Sequence, residues 1–160
     1  MGDRAEALAS QFEQAVDEFA NTIEQCSDEQ WRATCGDEGW TVAQMAQHVA
    51  GQFYPLEHEY ISAAAEGREM PSYSMDDING MNDRRAAKFS AASKADVLDT
   101  LRGDGSKMAA YVRGLSDEQL DLARPLPLAG GAPVSTQQLI EGGVLIDHVK
   151  GHLKSIRAAG

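Results

Sequence analysis

With 160 residues, 42% of them hydrophobic and 24% charged, the chain carries enough apolar material for one globular core, which excludes disorder. Its 25 acidic side chains outweigh 14 basic ones, and the resulting charge of −11 opposes polyphosphates and anionic lipid surfaces, so no nucleic-acid or membrane partner is expected. No apolar run approaches the roughly 20 residues needed to cross a bilayer and the N-terminus lacks a signal-peptide pattern, so a cytoplasmic protein with a single domain, 1–160, is expected.

Apolar residues recur at helical spacing along most of the chain and no six-residue stretch keeps a strand's alternation, which predicts an all-α fold. Helix 1, from about residue 3 to Cys26, carries the stripe Leu8, Phe12, Val16, Phe19 and Ile23. Helix 2 starts after Gly39-Trp40 with Thr41 as N-cap, carries Val42, Met45, Val49, Phe53, Leu56 and Tyr60, and ends near Gly67 with a kink at Pro55. From Arg68 to Gly80 the composition turns to Pro, Ser, Asp, Asn and Gly, which predicts a long crossover. Helix 3 is predicted from near Met81. It breaks near Ser93, where Ser93 and Asp96 form a capping box, and continues to Leu115 past the weakening Gly103 and Gly105. Three prolines and a Gly-Gly pair make 121–133 a loop, after which Ser135 and Gln138 cap helix 4, running to about Arg157. The result is a four-helix bundle with a long crossover between helices 2 and 3.

A weak internal repeat supports this layout. Ser27-Asp-Glu-Gln-Trp31 and Ser116-Asp-Glu-Gln-Leu120 are near copies, each after a long helix and each predicting a short capped helical turn. Cys26 and Cys35, without a second pair, fit neither a disulfide framework nor a four-sulfur metal site and are expected to stay thiols.

The four histidines separate by helix geometry. At about 100° per residue, His148 and His152 lie about 40° apart, one turn on, on the face opposite Asp147, Lys150, Lys154 and Arg157. On helix 2, His48 lies at the edge of the apolar stripe and can reach the interior, whereas His58 points away. One such histidine is best read as packed against a backbone carbonyl. Three converging from two helices are poor packing unless a divalent metal, at about 2.0–2.1 Å per bond, satisfies their nitrogens together. Three neutral ligands also leave an open coordination position.

The segments Gly39-Trp40-Thr41-Val42-Ala43-Gln44-Met45-Ala46-Gln47-His48 and Asp147-His148-Val149-Lys150-Gly151-His152 resemble the DinB/YfiT-like superfamily of four-helix metalloproteins. The resemblance covers nearly the whole chain, including the Cys35-to-Trp40 approach, and is strongest to the thiol-dependent branch typified by the metal-binding domain of mycothiol-dependent maleylpyruvate isomerase. It places a divalent transition metal, zinc, nickel or similar, on His48, His148 and His152. It also implies an up-down-down-up bundle, a low-molecular-weight thiol as co-substrate and transferase or isomerase chemistry.

Other residues are weighed around that site. Asn82 and Arg85 share the stripe of Phe89 and either solvate the start of helix 3 or line a pocket, where the arginine would hold a carboxylate. Glu141 lies two turns before His148, a pocket or outer-contact candidate. Asp147 is read as surface, Trp31 and Trp40 as core lids, and Cys35 as unactivated. Three functions remain open: a thiol-dependent metalloenzyme acting on a small molecule, or a hydrolase using the same site; a non-catalytic metal- or ligand-binding stress protein; and a plain helical interaction module. No carboxylate is placed by sequence as a general base. A homodimer through an exposed helix face fits such a bundle.

Overall fold

The computed structural model describes residues 2–36 and 39–159, and only the backbone of Pro55. Residues 37 and 38 of the Cys35-to-Trp40 approach lie outside the described residues.

Helix α1 (Asp3–Gln25) buries its stripe, Leu8, Phe12, Val16, Phe19 and Ile23, as one face of the core. Cys26 ends it in an extended conformation, and Ser27 and Gln30 cap each other reciprocally to start α2 (Asp28–Arg32). Strand β1 (Thr34–Cys35) pairs antiparallel with β2 (Trp40–Thr41). Thr41, the last strand residue, caps α3 (Val42–Gln52) with Gln44 as reciprocal partner. A wide turn, Phe53–Glu57, leads into α4 (His58–Ala65).

The crossover occupies 66–74 and is shorter than the sequence predicts. Helix α5 (Met75–Lys88) begins within the segment read as loop, started by reciprocal caps between Ser74 and Asp77. Its only buried residue is Ala86, so no apolar stripe announces it. The predicted break near Ser93 is present. Ser93 accepts from the Asp96 amide to start α6 (Lys94–Arg113), and neither Gly103 nor Gly105 interrupts it.

The second half repeats the first. Ser116 and Gln119 cap α7 (Asp117–Asp121), β3 (Ala123–Pro125) pairs with β4 (Pro133–Ser135), and Ser135 with Gln138 caps α8 (Thr136–Glu141). These strands are too short to show alternation, and every one of them is an edge, where proline is tolerated. Predicted helix 4 is in fact two helices, because the chain turns at 142–145 before α9 (Ile146–Ala159). Gly142 is the cause: its extended backbone leaves the helix, its amide donates to the Gln138 carbonyl, and a Cβ there would lie 2.9 Å from that oxygen.

In the bundle, α1 packs chiefly on α6 and α9, and so does α3. The two long helices of each half therefore stand diagonally. Phe12 and Phe53 lock the centre, edge to face with ring centroids 5.2 Å apart. Among the described residues no helix is long and apolar enough to cross a membrane.

Candidate metal centre

The packing of α3 on α9 brings the three predicted histidines to one point. The Thr41 cap fixes where α3 begins and places His48 two turns in, while α9 presents His148 and His152 one turn apart. His148 Nε2 lies 3.0 Å from His48 Nε2 and 3.0 Å from His152 Nε2, and all the candidate ligand atoms lie within 4.8 Å of one another. The rings meet edge to face.

A residue that sequence reasoning missed stands behind them. Glu57 is fully buried and its Oε1 lies 2.9 Å from His148 Nδ1, close but off the line of an ideal hydrogen bond. Nine residues after His48, it would face away on a straight helix, since about 900° leaves it half a turn round. The wide turn rotates it inward. Tyr54, the residue before Pro55, adopts φ −133° and ψ 136°, the extended region into which a following proline steers a residue. Pro55 has no N–H, so the Gly51 carbonyl lacks its helical donor, and Arg85 Nη2 donates to that oxygen at 3.1 Å. Gly51 leaves the space, because a Cβ there would meet Arg85 Nη2 at 2.1 Å.

The electrostatics keep His48 and His152 neutral. Burial, then the neighbouring imidazoles and Arg85, push His48 down to about 2; burial and His148 push His152 down to about 4. Burial raises the Glu57 carboxyl, with His148 pulling the other way. Neutral imidazoles each carry one N–H and one lone pair, and a carboxylate at His148 Nδ1 favours the tautomer whose lone pair is on Nε2. Three Nε2 atoms at one point cannot satisfy one another with the protons available. Tetrahedral bonds of about 2.0–2.1 Å put ligand nitrogens about 3.3 Å apart, so the observed spacing and donor set suit a divalent metal.

The cluster forms the wall of a cavity of about 590 Å³, within the range of small-molecule sites. Asn82 lines it and accepts from Gln52 Nε2 at 2.8 Å. Arg85 does not line it, being turned to Gly51 and stacked over Phe89. Trp40 is more than a core lid: it lines the cavity with its ring centroid 5.2 Å from that of His48. Trp31 packs on the core. His58 stays apart, between Tyr54 and Tyr111. Glu141 does not approach the site. The turn at Gly142 separates it from His148, and it is exposed on the side of Arg4. Asp147 is exposed and Cys35 is buried.

The DinB superfamily profile matches residues 11–156. A search of curated protein sequences finds no match. Among solved structures, YfiT from Bacillus subtilis, described as a probable metal-dependent hydrolase with an unusual four-helix bundle topology, is 17% identical with a TM-score of 0.74; the match covers 99% of this chain and 87% of that one. The mycothiol-dependent maleylpyruvate isomerase is 15% identical with a TM-score of 0.72, covering 98% of this chain and 63% of the isomerase. The colibactin self-resistance protein ClbS, solved with double-stranded DNA, is 11% identical with a TM-score of 0.72, covering 97% and 94%. At these identities the likeness establishes the four-helix fold, and the family match covers most of the sequence: the chain belongs to the DinB superfamily.

Proposed function

We propose that the protein is a metal-dependent enzyme in which His48, His148 and His152 hold a divalent transition ion, zinc, nickel or similar, beside a small-molecule site. The observation that carries this reading is the convergence of three Nε2 atoms on a cavity wall, with a buried carboxylate behind one of them. An ion held there supplies an open coordination position and Lewis acidity that lowers the pKa of a thiol, ordinarily about 8.5. The reaction proposed is thiol-dependent S-transfer or isomerisation with a low-molecular-weight thiol; the likeness to the mycothiol-dependent isomerase supports it. Glu57 holds His148 with its Nε2 lone pair facing the cluster. Asn82, held by Gln52, orients the co-substrate. Arg85 acts on the turn that carries Glu57 and not on the co-substrate. Trp40 shields His48 from water. The whole chain works as one cytoplasmic domain, singly or as a homodimer, with no nucleic-acid partner.

A second reading, metal-dependent hydrolysis, is favoured by the same Glu57, a cavity-lining carboxylate that the sequence did not locate. The deciding experiment begins with elemental analysis of protein purified without chelators or an affinity His-tag. About one equivalent of transition metal is expected, lost in His48→Ala and His148→Ala. No metal, and no uptake on reconstitution, overturns the metalloenzyme reading. Loaded protein is then given an electrophile with a panel of thiols, and separately an ester. Thiol consumption supports the first reading and thiol-independent hydrolysis the second.

A further inference from the structure

Besides the histidines, two of the residues that line the cavity carry a buried polar atom with no partner in the protein. Tyr60 is 3% exposed and its hydroxyl has no hydrogen-bond partner; Glu57 is 5% exposed and its Oε2 is equally alone. Both residues line the cavity. Buried polar groups are nearly always paired, so an orphan hydroxyl on a cavity wall marks a contact that an occupant completes. The rest of the wall says what kind of occupant. Leu56, Ile78, Leu128 and Val144 make an apolar surface, and Gln52 and Asn79 add uncharged polar groups. Among the described lining residues none is Lys or Arg, while Glu57 and Asp83 are acidic. The nearby cation, Arg85, is not among the lining residues, and its Nη2 donates to the Gly51 carbonyl. An anion entering this space would shed its water and find no protein counter-charge, inside a molecule of net charge −11.

Resting on the reading of this cavity as the co-substrate site, we infer that its protein wall, away from the ion's open position, selects an uncharged molecule with an apolar body and an oxygen acceptor that takes a hydrogen bond from the Tyr60 hydroxyl. Tyr60 is then a specificity-determining residue.

The test is a calorimetric titration of benzamide and benzoate, an uncharged and an anionic molecule of the same shape, into zinc-loaded and chelator-treated protein. Benzamide should bind both forms, and Tyr60→Phe, which keeps the ring, should weaken it at least fivefold with zinc content unchanged. In chelator-treated protein, where no ion can attract a carboxylate, benzoate should bind at least tenfold more weakly than benzamide. Asp83→Lys, on the exposed rim, should recover at least fivefold of the benzoate affinity. Equal binding of benzoate and benzamide without metal, no effect of Tyr60→Phe, or no binding of benzamide overturns the inference. Failure to take up zinc overturns the metal reading alone, because the chelator-treated arm does not depend on it.

Discussion

The two halves of the molecule are built alike up to one point and then break their inner helices differently. Each half runs from a long helix through a short capped helix and a two-stranded hairpin to a strand-end hydroxyl, Thr41 or Ser135, that caps the next helix with a glutamine. In the first half that helix runs unbroken past His48 and turns only at Tyr54-Pro55, which swings Glu57 inward. In the second half it turns after six residues, at Gly142, and His148 and His152 stand on a fresh helix beyond the break. The first half thus contributes one ligand candidate and the carboxylate; the second contributes two ligand candidates. A regular repeat would have brought neither set to the same point, so the chemistry lies in the departures from the repeat.

Charging the imidazoles should separate the halves most strongly. In metal-free protein, His48 and His152 are pushed to about 2 and about 4, below the 6.5 of an ordinary histidine. Between those values and 6.5 the unfolded chain binds protons that the native protein does not, so stability falls as pH falls through that window. Glu57 acts in the opposite sense, since its raised carboxyl stays protonated where the unfolded one, near 4.5, is ionised, and its penalty grows with rising pH. Two histidines oppose one carboxyl. Urea denaturation with chelator present should give a lower midpoint at pH 5 than at pH 7.5, and His48→Ala with His152→Ala should abolish or reverse the difference, since Glu57 remains. A higher midpoint at pH 5 would show that Glu57 dominates.

The two breaks can then be removed one at a time. Gly142→Ala places a Cβ 2.9 Å from the Gln138 carbonyl, so the backbone must shift; a loss of about 1–3 kcal/mol in denaturant melts and weaker metal uptake are expected. Glu57→Gln keeps the shape of the first break and removes the charge behind His148. It should lower metal affinity by about 10–100-fold in competition with a chromophoric chelator, with helix content unchanged. Pro55→Ala returns an N–H to the Gly51 carbonyl and should reach the same affinity loss by turning Glu57 away. Unchanged metal affinity in both variants would mean that the turn is incidental to the site.

The same contrast explains what the sequence made legible. The α1 stripe could be read because that helix buries one face, and the caps at Ser27, Thr41, Ser116 and Ser135 could be read because each box is local. The histidine cluster could be read because His-x3-His needs only one turn of helix. The start of helix α5, before Met81, could not, since Ile78 faces a cavity and imposes no apolar period. Glu57 was missed and Glu141 misplaced for one shared reason. A helical wheel assumes a straight axis, and a break of unknown angle intervenes between each residue and its histidine. Proline announced the first break without giving its direction; the Gly142-Gly143 pair announced the second only faintly, since glycine weakens a helix without having to end it.

The smallest expected effect is the sharpest test of this account. Thr41→Ala and Ser135→Ala each remove the hydroxyl that accepts from a third-residue amide, and each should cost about 1 kcal/mol. Their consequences for the metal should nevertheless differ. Thr41 starts the same continuous helix that carries His48, and its neighbour Trp40 lies beside the His48 ring, so fraying at that end reaches the cluster. Ser135 starts a helix that ends before the histidines, and the turn at Gly142 decouples the two. Equal losses of stability, with metal affinity weakened only in Thr41→Ala, would show that the break insulates α9. Equal losses of both would show that the second half transmits strain through its turn, and that the halves are more alike in mechanics than in shape.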